Sequence, residues 1–322
     1  MKKFVFLATF ICCELYSTDD LINSLNEITK IATKTKLNVD YVPGLVSVVY
    51  GKDLKRAGIT NLTAQNAFDV ILGMESVVSS IRGVGSWYGA NGNKIKWMIN
   101  DIAIETELRE TDDWAKGHVF LPISVDNIDR IEVIRGSASA TYGGNAMFGV
   151  VNIITKKDIT GGTVAFEQLG NGHYSKQISA FTNVKSDDFS LDLSISKLDS
   201  DGYNLYVGAD GHFFSDFDGS RQWFGYGPGK LPLYLQGYSI MADLDYKDYK
   251  FWVYKFNTQT GQGYDWIPTD FFPPYNNDIY CKTSDILLVG MQKKYDLTEN
   301  LSFTPKINYT QYSNPAHYLK YT

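Results

Sequence analysis

From residue 157 onward, apolar and polar side chains alternate with a period of two. Each strand so patterned turns one face to an apolar medium and the other to a polar one. Phe189, Leu191, Leu193 and Ile195 share one face, and Ser190, Asp192 and Ser194 the other. Tyr238, Ile240, Ala242, Leu244 and Tyr246 repeat the pattern. So do Leu301, Phe303, Ile307 and Tyr309, with Ser302, Thr304, Lys306 and Asn308 between them. Seven such segments are expected, near 162–169, 173–183, 188–199, 237–247, 249–257, 282–293 and 301–312. Short turns (184–187, 247–248, 294–300) alternate with long loops (200–236, 258–281), and only the hairpin at Gly170-Asn171-Gly172 breaks the rhythm. Tyr246, Tyr249, Tyr295, Tyr309 and Tyr312 sit near strand ends, where an aromatic girdle would lie. Alternation with this loop rhythm is the pattern of an outer-membrane β-barrel. Periodicity alone fits a soluble β-sandwich equally well.

The rest of the chain supports the barrel. Lys2 and Lys3 precede an apolar run from Phe4 to Cys13, then a short polar stretch from Glu14 to Thr18. These are the parts of a secretory signal peptide covering residues 1–17, with Ser17 the last residue removed. The run is too short to span a bilayer as a helix. Of the aromatic residues, 14 fall in 1–156 and 32 in 157–322, so the two halves face different surroundings. Net charge is −6, which argues against nucleic acid as a partner. Removal of the leader leaves Cys281 as the one cysteine, without an internal disulfide partner or a CxxC for zinc.

Residues 41–156 read as mixed α/β. Strands are expected at Leu45–Tyr50, across Lys94-Ile-Lys-Trp-Met-Ile99, at Ile131–Ile134 and at Val150–Ile154. A turn falls at Asn100-Asp101, and a loop and helix over 51–73 have Thr60 or Asn61 as a possible N-cap. Ser137–Ala146 is rich in small residues and reads as a loop or a tightly packed helix end. Glycines at 136, 143, 144 and 149 permit positive φ or close backbone approach.

Residues 127–156, NIDRIEVIRGSASATYGGNAMFGVVNIITK, closely resemble the end of the plug domain of TonB-dependent outer-membrane receptors. The resemblance lies in Asp129 to Gly136, the pair Tyr142-Gly143, and Gly149 to Thr155. Earlier matches follow the family's order: Pro43 to Tyr50, a first helix at Leu62 to Leu72, Ile81-Arg82-Gly83, and Trp97 to Asp101. Two positions depart from it, Asp101-Ile102 for an Asp-Gly turn and Gly73-Met74 for a Pro-Gly. The resemblance implies an α+β plug domain at 41–156, seated in an antiparallel transmembrane β-barrel whose N-terminal part is 157–322. It implies transport powered through periplasmic TonB and its inner-membrane motor, in the outer membrane of a Gram-negative bacterium, with membrane lipid around the wall.

It also implies that Arg82, Gly83, Glu132, Arg135, Gly136, Tyr142, Gly143, Gly149 and Asn152 form the plug motif and its contacts with the barrel. Glu132 and Arg135 are three apart on a strand and point to opposite faces, so their partners are expected on other elements. The family's TonB box is expected in the periplasmic arm at 18–40, at Glu27-Ile28-Thr29-Lys30-Ile31-Ala32-Thr33. Such a segment pairs as an added strand. A plain amphipathic helix accounts for the same residues.

The sequence holds no constellation for catalysis, so an enzyme is not expected. His118, His173, His212 and His317 lack metal spacing, and neither a GxSxG nor a phosphate loop is present. No cofactor and no metal site are expected. The long loops carry rings beside Gly and Asp, which suit recognition of a bulky ligand. Trp87, Tyr88, Asn91, Tyr203, Tyr206, Trp223, Tyr226, Tyr264 and Trp266 are the ligand-contact candidates. A small-molecule metal chelate such as a ferric siderophore is the first expectation. Haem or a corrinoid is second, with His212 a candidate axial ligand. A secreted soluble binding or adhesive protein with a β-sandwich is the competing class. Receptors of the family have 22-stranded barrels. About seven strands are expected here, so the 322 residues read as an N-terminal fragment or part of a split gene.

Overall fold

The computed structural model describes residues 45–62, 95–104, 121–144, 146–170, 173–202, 206–207, 229–230, 234–261, 281–298 and 301–313. Runs rich in β-branched residues form the first sheet. Its strands are β1 (Leu45–Tyr50), β2 (Ile95–Ile99), β3 (Ile102–Ala103), β4 (Ile128–Arg135) and β5 (Gly149–Thr155), in the order β1-β4-β5-β2-β3. The β2–β5 pair is parallel and the others are antiparallel. Strand β5, GVVNIIT, is buried on both faces, which explains its continuous apolar run. Strand β4 starts three residues before the expected Ile131, directly after a 3-10 turn at Val125–Asn127 capped by Ser124.

Helix α1 (Gly51–Arg56) follows β1 without a loop. Only glycine fits its first position, because a Cβ there would lie 2.1 Å from the Ile128 carbonyl oxygen. Thr60 and Asn61 cap no described helix. Instead the Thr60 carbonyl accepts from the Val125 amide, and Asn61 forms a bridge with Ser124. The rest of the expected first helix lies outside the described residues. Helix α2 (Ser139–Tyr142) is the packed turn expected in the small-residue stretch. Gly136 and Gly143 have φ of 126° and 78° and need glycine's freedom. Gly144 does not share that conformation, and Gly149 is a paired strand residue.

The second sheet is antiparallel and seven-stranded: β6 (Gly161–Gly170), β7 (His173–Lys185), β8 (Phe189–Ser200), β11 (Leu235–Tyr246), β12 (Tyr249–Gly261), β13 (Cys281–Lys293) and β16 (Lys306–Ser313). The long loop after β8 contains a two-stranded ladder, β9 (Tyr206–Val207) with β10 (Gly229–Lys230). The expected strand at 301–312 is divided. Pro305, which lacks an amide hydrogen, separates β16 from β15 (Leu301–Phe303), and β15 pairs with β14 (Tyr295–Thr298) as a short hairpin. Neighbouring strands pair in sequence order, but the sheet does not close on itself.

Its outward face is apolar and open. Val164, Phe166, Ile178, Ile195, Ile240, Val253, Ile307 and Tyr309 are all exposed there. Its inward face meets the first sheet. Ser175, Gln177, Ser179, Ser194, Ser196 and Ser239 point inward and are buried, and so are Met241, Trp252, Tyr254, Phe256, Ile286 and Leu288. The last six join Leu54, Trp97, Ile99, Ile131, Val133, Val151 and Ile153 in one core. Tyr312, expected in an outer girdle, also faces inward and packs against this core, because its parity on β16 is opposite to that of Tyr309. Among the described residues, no helix is long and apolar enough to cross a membrane.

Candidate functional site

The place where chemistry and position coincide is the contact between the two sheets. It begins at the β2–β3 turn. Asn100 and Asp101 have φ of 48° and 63°, a primed turn that Asn and Asp tolerate better than most residues. The turn therefore closes tightly without the glycine of an Asp-Gly pair. Asn100 Nδ2 donates to Tyr254 Oη at 2.9 Å, and Tyr254 Oη donates to Asp243 Oδ1 at 2.6 Å. Asn100 Oδ1 accepts from the Thr155 amide at 2.9 Å, so the bridge is anchored at the end of β5. The Asp101 carbonyl accepts from Lys306 Nζ at 2.7 Å.

Two further bonds join the sheets. Asn127 Nδ2 donates to Ser194 Oγ at 2.9 Å, and Ser239 Oγ donates to the Pro122 carbonyl at 3.0 Å; both are buried. Gly237 allows the close approach: a Cβ there would lie 3.3 Å from Pro122 Cγ and 2.4 Å from the Asn257 carbonyl oxygen. A cleft beside these bonds is lined by Asn127, Thr155, Lys156, Asp192, Ser194 and Asp243. Buried hydrogen bonds of this kind fix register and orientation more than they add net stability.

The expected motif residues form a second network within the first sheet. Glu132 and Asn152 are register partners on β4 and β5, and Asn152 Nδ2 donates to Glu132 Oε2 at 3.2 Å and to Asp101 Oδ1 at 3.0 Å. Arg130 Nε donates to Glu132 Oε1 at 2.8 Å, and its Nη1 to Asp129 at 2.7 Å. Burial lifts the Glu132 carboxyl above its usual range, opposed by Arg130. Burial would lower the Arg130 guanidinium, but Glu132 and Asp129 hold it higher. Tyr142 is raised by burial, then by the Glu132 and Asp101 charges. Arg135 lies on the opposite face from Glu132 and donates to Ser47 on β1. Lys96, also buried, donates to the Tyr142 carbonyl at 2.7 Å and holds the turn after α2.

Of the motif residues, Glu132, Asn152 and Tyr142 come together; Gly136, Gly143 and Gly149 shape the loop and strand around them. Arg82, Gly83, Trp87, Tyr88, Asn91, the 27–33 segment, Tyr203, Trp223, Tyr226, Tyr264 and Trp266 lie outside the described residues. Tyr206 lies on β9, in register with Lys230. Sequence reasoning named Asn100 as a turn residue and Ser194 and Lys306 as polar strand positions, but it identified none of Asn100, Pro122, Asn127, Ser194, Ser239, Tyr254 or Lys306 as a contact between the sheets. One signal was available: in Phe251-Trp-Val-Tyr-Lys-Phe256 both faces are apolar, so something apolar must also lie inside. Among the described residues, no group of three or more His, Cys, Asp or Glu is placed to hold a metal ion.

The family model described as the TonB-dependent receptor plug domain matches residues 38–150. Residues 38–150 thus form a TonB-dependent receptor plug domain. A vitamin B12 transporter, BtuB, of Vibrio vulnificus is 30% identical over 99 residues, covering 30% of this chain and 15% of that protein. An iron-regulated outer membrane virulence protein of Vibrio cholerae is 33% identical over 128 residues, covering 37% and 18%. The chain thus spans less than a fifth of the length of these relatives in the matched segments. Among solved structures, a ferric enterobactin receptor mutant of Pseudomonas aeruginosa matches with a TM-score of 0.57 at 17% identity, over 90% of this chain and 42% of that one. The siderophore receptor PirA of Acinetobacter baumannii matches with 0.53 at 18%, over 84% and 40%. These likenesses show the fold: a plug followed by antiparallel barrel strands. The chain's place is the outer membrane of a Gram-negative bacterium.

Proposed function

We propose that these residues supply the plug and wall strands of an active transporter that takes up a metal chelate, first a ferric siderophore, powered by TonB and its inner-membrane motor. In this reading residues 41–156 are the plug, 157–322 the wall, and 18–40 the arm that offers Glu27–Thr33 to TonB. The protein is a carrier and not an enzyme. The observation that carries the reading is the contact itself. A polar turn at Asn100-Asp101 and the 122–127 segment are hydrogen-bonded to inward-facing Tyr254, Lys306, Ser194 and Ser239. A lumen filled in this way opens only if bonds are broken, which calls for an energy input. The aromatic loops carrying Tyr203, Tyr206, Trp223, Tyr226, Tyr264 and Trp266, with Trp87, Tyr88 and Asn91, supply the ligand contacts.

The names of the siderophore receptors sharing the fold support an iron chelate as cargo. The test is uptake of radioactive iron as a panel of ferric siderophores by cells expressing the complete receptor, with and without TonB. Accumulation that needs TonB for at least one siderophore is expected. Equal uptake without TonB, or none across the panel, would reject the siderophore version. A corrinoid is the second reading, because a named vitamin B12 transporter aligns at 30% identity. TonB-dependent uptake of labelled cyanocobalamin in place of iron would select it.

A further inference from the structure

The periplasmic end of the wall carries several lysines, and they fall into two groups. Lys157 and Lys250 pair with Asp245, Lys185 with Asp158, and Lys294 with Asp296. Lys247 and Lys293 have no carboxylate at ion-pairing distance among the described residues. They lie on tyrosine rings instead. Lys293 Nζ is 4.6 Å from the ring centres of both Tyr249 and Tyr295, and Lys247 Nζ is 5.3 Å from that of Tyr246.

These residues share a side. Tyr246 and Tyr249 are register partners, and Tyr249 is the register partner of Lys293. By strand parity all three continue the outward apolar face through Phe251, Val253 and Met291. Tyr295 opposes Phe303 across the short hairpin, with ring centres 6.5 Å apart, and both are exposed. The outward surface therefore passes from an apolar band to tyrosines and then to two lysines without carboxylate partners. Tyrosine rings belong at the boundary of a bilayer, where the cations beside them meet phosphate. Cation–π contact holds each ammonium in place without neutralising it.

We propose that Lys247 and Lys293, framed by Tyr246, Tyr249 and Tyr295, form a headgroup site for an anionic phospholipid of the periplasmic leaflet, whose acyl chains lie along Phe251, Val253 and Met291. The proposal rests on the reading of this face as lipid-facing. The two are separable, because a folded barrel can keep its place in the membrane without preferring one lipid.

The test is native mass spectrometry of the full chain purified from outer membranes in detergent, titrated with dioleoylphosphatidylglycerol or dioleoylphosphatidylcholine. Bound phosphatidylglycerol should exceed bound phosphatidylcholine. Each lysine removed should weaken phosphatidylglycerol retention about fivefold, so the pair Lys247→Gln and Lys293→Gln should abolish the preference with phosphatidylcholine binding unchanged. Lys250→Gln, which removes an ion-paired lysine, should leave the preference intact, and Lys293→Arg should retain it. Equal binding of the two lipids, or an undiminished preference in the double variant, would overturn the proposal. Loss of the preference in inorganic phosphate at matched ionic strength would overturn the lipid assignment in favour of a free-anion site. Heat-modifiable migration of each variant shows separately that the barrel has folded.

Discussion

The inward face of the wall differs from one end of the sheet to the other. Over β7 and β8 it is largely polar: Gln177 donates to Ser196 at 3.2 Å, and the Ser179 and Ser196 hydroxyls lie 2.9 Å apart. Over β12 and β13 it is mainly apolar, with Trp252, Tyr254, Phe256, Ile286 and Leu288 buried against the plug. The outward face of the same strands is apolar at both ends. A barrel wall needs an apolar exterior along its whole belt, but its interior follows whatever occupies it. Where the interior turns apolar, it records the footprint of the plug. Where it stays polar, cross-strand hydrogen bonds satisfy much of it, and Ser194 bonds to Asn127 of the plug.

That difference can be broken on purpose. The largest effect should come from the footprint. Phe256→Ala removes a fully buried ring shared by plug and wall and should destabilise the folded chain by about 3–5 kcal/mol. Urea unfolding in lipid vesicles would measure it. Next comes the exterior. Ile240→Arg places a charge in the outward belt and should cost about 2–4 kcal/mol in a bilayer. The same assay, with heat-modifiable migration, checks it. Smaller again is Tyr254→Phe, which keeps the ring but removes the hydroxyl between Asn100 and Asp243. A loss of about 1–3 kcal/mol is expected, with increased protease cleavage of the plug as a second readout.

The smallest effects are electrostatic and have opposite signs. Burial raises the Glu132 carboxyl in the folded state. The folded state therefore favours the protonated form, and stability declines as pH rises from the ordinary carboxylate range through the folded value. Asp126 behaves in the reverse way. Burial would raise it, but Lys55, Thr163 and Lys156 together hold it below its usual value. Its contribution is present above the ordinary range and is lost as pH falls through the folded value. Melting temperature against pH for Glu132→Gln and Asp126→Asn should lose these two slopes separately.

Much of this architecture was legible in the sequence. All seven wall segments form strands, because a period of two is a direct consequence of strand geometry, but the turn expected at 294–300 holds β14 of a short hairpin. Pro305 divided the last segment, which side-chain periodicity alone does not register. The motif at 127–156 placed β4, α2 and β5. The docking residues were not legible. Asn100, Asn127, Ser194 and Ser239 are ordinary polar residues whose importance comes from meeting a partner far away in sequence. Glu132 was expected to find partners on other elements. Asn152 is one, but Arg130, two residues away on the same strand face, is another.

The central claim is that the two faces of one sheet meet different media, lipid outside and a plugged polar lumen inside. Nitroxide labels at Ile240→Cys and Asn308→Cys, in a background without the native cysteines, test it directly in lipid vesicles. Ile240 faces outward, and Asn308 has the inward parity on β16. Collisions with oxygen but not with a water-soluble nickel chelate are predicted at position 240, and collisions with the nickel chelate at position 308. Equal access of the nickel chelate to both positions, as on a soluble β-sandwich, would contradict the account.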